Sequence, residues 1–130
     1  MTAALTPALA LDYLSELSAD IRAAIVLDAG GMPLALRRAE VARGGDAALA
    51  AAAREFVAEA PVVRALTERG GAFGARDDRH AVVVVTGPLA LPQLAIHDIR
   101  SVLSALGGMP LDTVVSDASA AAARALLEAL

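Results

Sequence analysis

Two short apolar runs in the first third of the chain flank an Asp-Ala-Gly-Gly sequence. The first run is rich in β-branched residues, and Asp28 can accept hydrogen bonds from the backbone of its own turn. Gly30 and Gly31 tolerate the positive φ angles of tight turns because they lack a Cβ atom. This pattern predicts a β-hairpin with strands at 21–28 and 32–38.

Apolar residues at helical spacing predict helices on either side of the strands. Thr6 offers an N-cap hydroxyl immediately before Pro7, which predicts that the first helix begins there and runs over 7–19. The same periodicity, bounded by glycine and proline, predicts three further helices. They cover 46–60, 90–106 and 117–130.

Three short segments between the second and third helices predict strands at 62–67, 72–76 and 80–86. The last contains four consecutive valines, which indicates burial on both faces and a central place in the sheet. The segment 62–67 has an alternative interpretation as a continuation of the preceding helix. The order of elements predicts an α+β fold of two or three layers, with an antiparallel sheet and an extra C-terminal helix.

Composition narrows the function classes. The chain has 130 residues, no cysteine, no tryptophan and a net charge of −4, and arginine supplies all eleven basic residues. Without cysteine there are no disulfides and no zinc–thiolate sites. The acidic balance argues against nucleic-acid binding, and the apolar runs are too short for membrane insertion. No signal peptide is visible, so we expect a cytoplasmic protein. The expected core contains Leu14, Leu17, Val26, Phe56, Val83 and Ile99.

No group of residues predicts a catalytic, cofactor-binding or metal site. His80 follows Asp77 and Asp78, and a polar tight turn is a better interpretation than a metal site because no further ligands are near in sequence. His97 is interpreted as a surface or half-buried helix residue. The glycines at 70–74 lack the downstream helix of a phosphate-binding loop and favour a turn. We therefore expect a protein that is not an enzyme and has no cofactor.

The second predicted helix carries two apolar stripes. One faces the sheet, and the other consists of Ala47, Ala51 and Ala58, edged by Arg54 and Glu55. Two interpretations remain open for the second stripe. Alanine favours helix wherever it occurs, and small residues also let another helix approach closely in a homotypic or partner-binding face.

With this element order, the chain resembles the roadblock/dynein-light-chain family, of the kind found in actinobacteria. The resemblance covers residues 7–106. It rests on Leu14-Ser-Glu-Leu, Ile21–Leu27 with its Asp28-Ala-Gly-Gly turn, Arg79-His-Ala-Val-Val-Val-Val with Thr86-Gly-Pro, and the helix at Leu94–Leu103. It implies a domain over 1–110, followed by a C-terminal helical extension of the same domain over 111–130.

The resemblance also implies a sheet architecture, an oligomeric state and a class of partner. It implies a roadblock/profilin-like five-stranded antiparallel sheet with helices on both faces, and a homodimer joined through the second helix and the neighbouring strand edge. It further implies no catalytic activity and a partner that is a Ras-like small GTPase. The implied interface residues are Ala47, Ala51, Arg54, Glu55, Ala58, Val62 and Arg64. The C-terminal helix lies outside the usual domain and can either cover that interface or add to it.

A second class of function fits the same element order. A sensory domain of the GAF, PAS or profilin-like class would bind a small molecule against the sheet. That alternative predicts a cavity of about 300–1,000 Å³ lined by apolar residues and a few polar groups.

Overall fold

The computed structural model describes residues 6–17, 20–38, 45–108 and 114–130, which form four helices and six strands. In chain order these are α1 (Pro7–Leu17), β1 (Ile21–Asp28), β2 (Pro33–Arg38), α2 (Gly45–Ala58), β3 (Val62–Thr67), β4 (Gly70–Arg76), β5 (His80–Thr86), α3 (Pro92–Ala105), β6 (Val115–Asp117) and α4 (Ala120–Glu128). Every element predicted from sequence is present, and 62–67 is a strand. Residues 18–19 of the first predicted helix and the predicted boundary at 110/111 lie outside the described residues.

The strands form one sheet in the order β2-β1-β5-β4-β3-β6. The first five pair antiparallel, as expected, whereas β6 pairs parallel with β3. The expectation of a five-stranded sheet was therefore incomplete, because the C-terminal extension adds a strand before its helix. β5 lies between β1 and β4 and is buried from Ala81 to Thr86, which confirms the central position predicted from its valines.

Helices cover both faces of the sheet. The side chains of Val82 and Val84 pack in the cluster that contains α1 and α3, whereas Val83 and Val85 pack in the cluster that contains α2 and α4. This alternation follows from the two-residue period of a strand. A strand that is apolar on both faces therefore requires two helical layers.

Most of the expected core is buried, with one exception. Five residues are almost inaccessible to solvent: Leu14, Val26, Phe56, Val83 and Ile99. The prediction for Leu17 was wrong, because this residue is 46% exposed. Leu17 is the last residue of α1 and lines an open groove. The apolar spacing that predicted its burial therefore extends beyond the part of α1 that packs in the core.

The β1–β2 turn has the chemistry that the sequence predicted. The Asp28 carboxylate accepts hydrogen bonds from the backbone N–H groups of Gly30 and Met32, both at 2.9 Å. Gly31 has a φ of +85°, a conformation that disfavours residues with a side chain. Asp28, Gly30 and Gly31 therefore shape the turn.

Phe56 on α2 packs against a position on β4 that has no side chain. A Cβ atom at Gly74 on β4 would lie 3.3 Å from the Phe56 ring and 3.2 Å from Val57, closer than side chains normally pack. The missing side chain lets α2 approach the sheet closely. Phe56 is fully buried as a result and is one of only two phenylalanines in the chain.

Replacing Phe56 by alanine should lower the free energy of unfolding by about 3–5 kcal/mol, because it removes a large buried side chain and leaves a cavity. The matched change Leu89→Ala removes a side chain that is 84% exposed and should alter stability by no more than about 0.5 kcal/mol. Urea denaturation followed by circular dichroism measures both values. Equal effects of the two changes would show that Phe56 is not a centre of the core.

Candidate protein-interaction surface

One face of α2 is open to solvent along the whole helix. The five helix residues that the resemblance implied as interface are all exposed, and we call them the α2 face: Ala47, Ala51, Arg54, Glu55 and Ala58. The opposite stripe, with Leu49, Ala53 and Phe56, is buried on the sheet. Within the described chain, the alanine stripe is therefore not covered by another element.

The side chain of Arg54 is held against the β1–β2 turn. Its Cγ and Cδ atoms occupy the space that a Cβ atom at Gly31 would need. The turn glycine thus has a second effect besides its positive φ, because it lets the aliphatic part of Arg54 lie flat on the hairpin. The guanidinium group remains exposed at the edge of the α2 face.

The N-terminal end of α2 is anchored by β2. Arg38 is almost buried, with a side chain that is 9% exposed, and its Nε lies 3.2 Å from the Asp46 carboxylate. The Arg38 Nη2 group also donates a hydrogen bond to the Gly45 carbonyl at 2.5 Å. These contacts fix the first turn of α2 and therefore the direction in which the α2 face points.

The two implied interface residues on β3 lie in different surroundings. Val62 is buried and packs in the α1–α3 cluster, on the side of the sheet opposite to α2. Its side chain does not reach the surface that carries the α2 face, because alternate strand residues point to opposite faces, and its place in an interface stays a prediction. Arg64 is partly exposed, and its Nε lies 3.0 Å from the Asp117 carboxylate of β6.

Residues 115–130, which include β6 and α4, cover the edge of β3; we call them the C-terminal cover. Residues Val62, Val63 and Arg64 pair with β6, and the backbone N–H of Ala118 donates to the Arg64 carbonyl at 2.8 Å. Leu126 on α4 is fully buried in the cluster formed by α2 and the sheet. The extension therefore covers the edge of β3 at residues 62–64.

A polar contact joins the cover to the end of α2. The Glu59 carboxylate accepts hydrogen bonds from the Ser119 backbone N–H at 2.7 Å and from the Ser119 hydroxyl at 2.6 Å. The Ser119 Oγ also accepts from the Ala122 backbone N–H at 3.2 Å, as the N-cap of α4. The Ser119 hydroxyl, and next its N–H, lower the pKa of the Glu59 carboxyl below its ordinary value by bonding the charged form.

Several solved structures share this architecture, and three of them are described below. No family model and no curated protein matches the chain. One roadblock/LC7 domain from Streptomyces avermitilis aligns with 73% of this chain and 92% of its own, at 18% identity and a TM-score of 0.60. A second roadblock/LC7 domain from that organism aligns with 73% of this chain and 89% of its own, at 12% identity and a TM-score of 0.61. This chain has the roadblock/LC7 fold.

A third structure extends the likeness to another organism. The gliding protein MglB from Thermus thermophilus aligns with 75% of this chain and 82% of its own, at 18% identity and a TM-score of 0.56. At these identities the likeness concerns the backbone architecture. The likeness therefore confirms the expected fold class. It does not extend to the side chains on this chain's surface.

Of the remaining polar candidates, Asp77 shapes the β4–β5 turn of this roadblock fold. The Asp77 carboxylate accepts hydrogen bonds from the backbone N–H groups of Arg79 at 2.9 Å and His80 at 2.8 Å, which supports the tight-turn interpretation. His97 is exposed on α3. Within the described ranges, no group of three or more acidic, histidine or cysteine side chains is placed to hold a metal ion. Among the helices described, none has both the length and the apolar character to cross a bilayer.

An apolar groove lies on the other side of the roadblock sheet, between α1 and α3. Its volume is about 440 Å³, and its floor includes Val84, Thr86 and Ile99. Leu89 and Leu94 line its rim with more than half of their surface exposed. The loop beside it is fixed by Asp20, whose carboxylate accepts a hydrogen bond from the Leu89 backbone N–H at 2.8 Å.

Sequence reasoning did not find the residues that attach the cover. The last helix was predicted over 117–130, whereas its N-cap is Ser119. Nothing local marks Glu59 as its partner, because the two residues are separated by 60 positions.

Replacing Ser119 by alanine should raise the pKa of Glu59 toward its ordinary value, because the hydroxyl donor is lost. Since this pKa is depressed in the folded protein, the contact stabilises the cover above the ordinary glutamate pKa. That contribution is lost as the pH falls through the folded value. NMR titration of the Glu59 carboxyl measures the change, with Ser101→Ala on α3 as the matched control. An identical Glu59 titration in wild type and Ser119→Ala would contradict the described contact.

Proposed function

We propose that this chain is a non-enzymatic regulatory or scaffold module that binds a Ras-like small GTPase and self-associates as a homodimer. The observation that carries the proposal is the α2 face, an exposed helix surface presented by a roadblock fold. The proposal also draws on the family resemblance, which implies such a partner for a chain with these elements.

The chemistry of the α2 face suits a protein partner. Ala47, Ala51 and Ala58 project only methyl groups, so the backbone of another helix can come close. Burying these alanines costs no side-chain rotamer entropy. Arg54 and Glu55 supply opposite charges beside the alanines, and such pairs set orientation and partner choice more than affinity. The aliphatic part of Arg54 is already positioned on the turn, which lowers the cost of ordering it on binding.

The described residues also favour binding over catalysis. The backbone N–H of His80 is bonded in a tight turn, and the Ser101 hydroxyl on α3 donates its hydrogen bond to the His97 backbone carbonyl and not to an imidazole. A regulatory module needs none of these groups, because it acts through the conformation or location of its partner. We therefore propose that the chain has no catalytic activity of its own.

Ala51→Glu should weaken the binding of a Ras-like small GTPase from the same genome by at least about tenfold, since it puts a charge at the centre of the α2 face. Isothermal titration calorimetry with the GTPase loaded with GDP or a GTP analogue measures the affinity. Ala8→Glu, at an exposed site in the first turn of α1, is the matched control and should leave binding unchanged. Absence of wild-type binding in both nucleotide states would overturn the GTPase proposal.

A second candidate function is favoured by one observation, the groove between α1 and α3. Its volume of about 440 Å³ lies in the range of small-molecule sites, and its lining is mostly apolar with Thr86, Asp20 and Asp98 as polar groups. A sensory role would use this groove for a neutral or cationic apolar molecule. Ligand-detected NMR screening should then find compounds that shift the Leu89 and Leu94 methyl signals, and a screen without such compounds would exclude this candidate.

A further inference from the structure

The groove between α1 and α3 is surrounded by leucine side chains that the fold leaves exposed. They come from the end of α1, the loop before α3 and the first turn of α3, and we call them the rim leucines: Leu17, Leu89, Leu91 and Leu94. Their exposed fractions are 46%, 84%, 62% and 56%. Because all of them line one groove, they form a contiguous apolar patch, and such patches mark interaction sites on folded domains.

The apolar surface continues from the groove along α1. Leu9, Tyr13 and Leu17 are spaced four residues apart, so they follow one another along the same flank of the helix. Leu9 is 54% exposed and Tyr13 is 46% exposed. The helix packs on the sheet through a different set of residues, namely Ala10, Leu11 and Leu14. The stripe of Leu9, Tyr13 and Leu17 therefore remains accessible after α1 has packed.

The charged groups that line the groove are acidic. They are Asp20 and Asp98, and no arginine is among the described residues that line it. Glu16 is exposed beside Leu17 at the end of α1. The Asp20 carboxylate accepts a hydrogen bond from the Leu89 backbone N–H, so the loop that carries this rim leucine is fixed beside an acidic group. A partner with basic side chains beside an apolar stripe is complementary to this surface.

We propose that the groove between α1 and α3 binds an amphipathic helix of another protein, with large apolar anchors on one face and lysine or arginine beside them. Helices of this kind place anchors at positions i, i+3 or i+4, and i+7 in an apolar groove. A helix with its side chains is about 10–12 Å across, whereas the groove has a volume of about 440 Å³. The groove therefore takes the anchor side chains, and the helix itself lies on the rim leucines and the α1 stripe.

This surface is separate from the α2 face. The helices α1 and α3 pack on one side of the sheet, whereas α2 packs on the other side. A helix in the groove and a partner on the α2 face therefore do not compete for the same residues. The inference adds a second binding surface to the proposed function and does not depend on it.

Three other occupants fit the surface less well. A small molecule in the groove would leave the α1 stripe uncovered, because such ligands are enclosed by the site that binds them. A second copy of this chain joined through the same groove would bring two acidic linings together. Anionic lipid headgroups attract basic segments, and the acidic lining would be repelled by them.

Peptide binding to the full chain tests the inference. The probe is a helical peptide of about 18 residues, about five turns, built from leucine and lysine with all leucines on one face. One control peptide has glutamate in place of lysine, and the other has the composition of the probe in an order without an apolar face. We expect the probe to bind at least about tenfold more tightly than either control. Isothermal titration calorimetry measures the three affinities.

Two pairs of variants locate the site. Leu89→Asn removes an exposed apolar contact and should weaken binding of the lysine peptide at least about fivefold. Its matched control is Leu66→Asn, at a residue that is 57% exposed on β3 and does not line the groove. Asp98→Asn removes an acidic group of the lining and should weaken the same peptide at least about threefold. Glu68→Gln, at an exposed position between β3 and β4, is its control.

NMR of the full chain should show that the lysine peptide shifts the Leu89 and Leu94 amide signals and leaves that of Ala51 on the α2 face unchanged. Absence of binding, equal binding of the probe and the reordered peptide, or shifts confined to residues outside the groove would overturn the proposal. Apolar compounds that shift these signals when the peptide does not would assign the groove to a small molecule and overturn it as well.

The remaining occupants are tested with Leu89→Asn. A change in molecular mass relative to wild type, measured by light scattering, would assign the groove to a second copy of the chain. Wild-type sedimentation with phosphatidylglycerol vesicles that Leu89→Asn abolishes would assign it to a membrane. Either result would overturn the proposal, whereas unchanged mass and no sedimentation are expected. No GTPase is present in these experiments, so their failure is distinct from a failure of the α2 face to bind its proposed partner.

Discussion

The two-sided burial of β5 is the constraint on which the rest of this structure depends. Val82 and Val84 require one helical layer, and Val83 and Val85 require another on the opposite face. α1 and α3 supply the first layer. α2 and α4 share the second, so the C-terminal helix is part of the layer that covers the central strand. The described part of the extension therefore packs in the same apolar cluster as α2.

The surface available to partners follows from how α2 is used. One side of α2 packs on the sheet through Phe56, a second contacts α4, and the α2 face remains open. The same helix thus packs in the core and presents the proposed interface. Glu59, directly after its last residue, bonds the cover. Because the cover packs against α2, a displacement of the cover would also affect the helix that presents the α2 face. The proposed partner binding and the proposed self-association would both depend on this helix.

The sequence predicted features that local chemistry determines. The Asp28 turn and the valine strand each follow from residues close together in the chain, and the structure contains both. β6 did not follow, because a three-residue parallel strand depends on β3, whose Arg64 is 53 positions from Asp117. The burial of Val62 did not follow from the sequence either, because it depends on which face of β3 the helices α1 and α3 cover.

Native-state hydrogen exchange of the full chain tests the central claim most directly, namely that the cover belongs to the fold and opens separately from the central strands. The Ala118 amide, bonded to the Arg64 carbonyl, reports on the cover, and the Val83 amide reports on β5. We expect measurable protection for Ala118 that is at least about tenfold lower than for Val83. Equal protection would show that the cover does not open on its own, and no protection would show that it is not seated on β3.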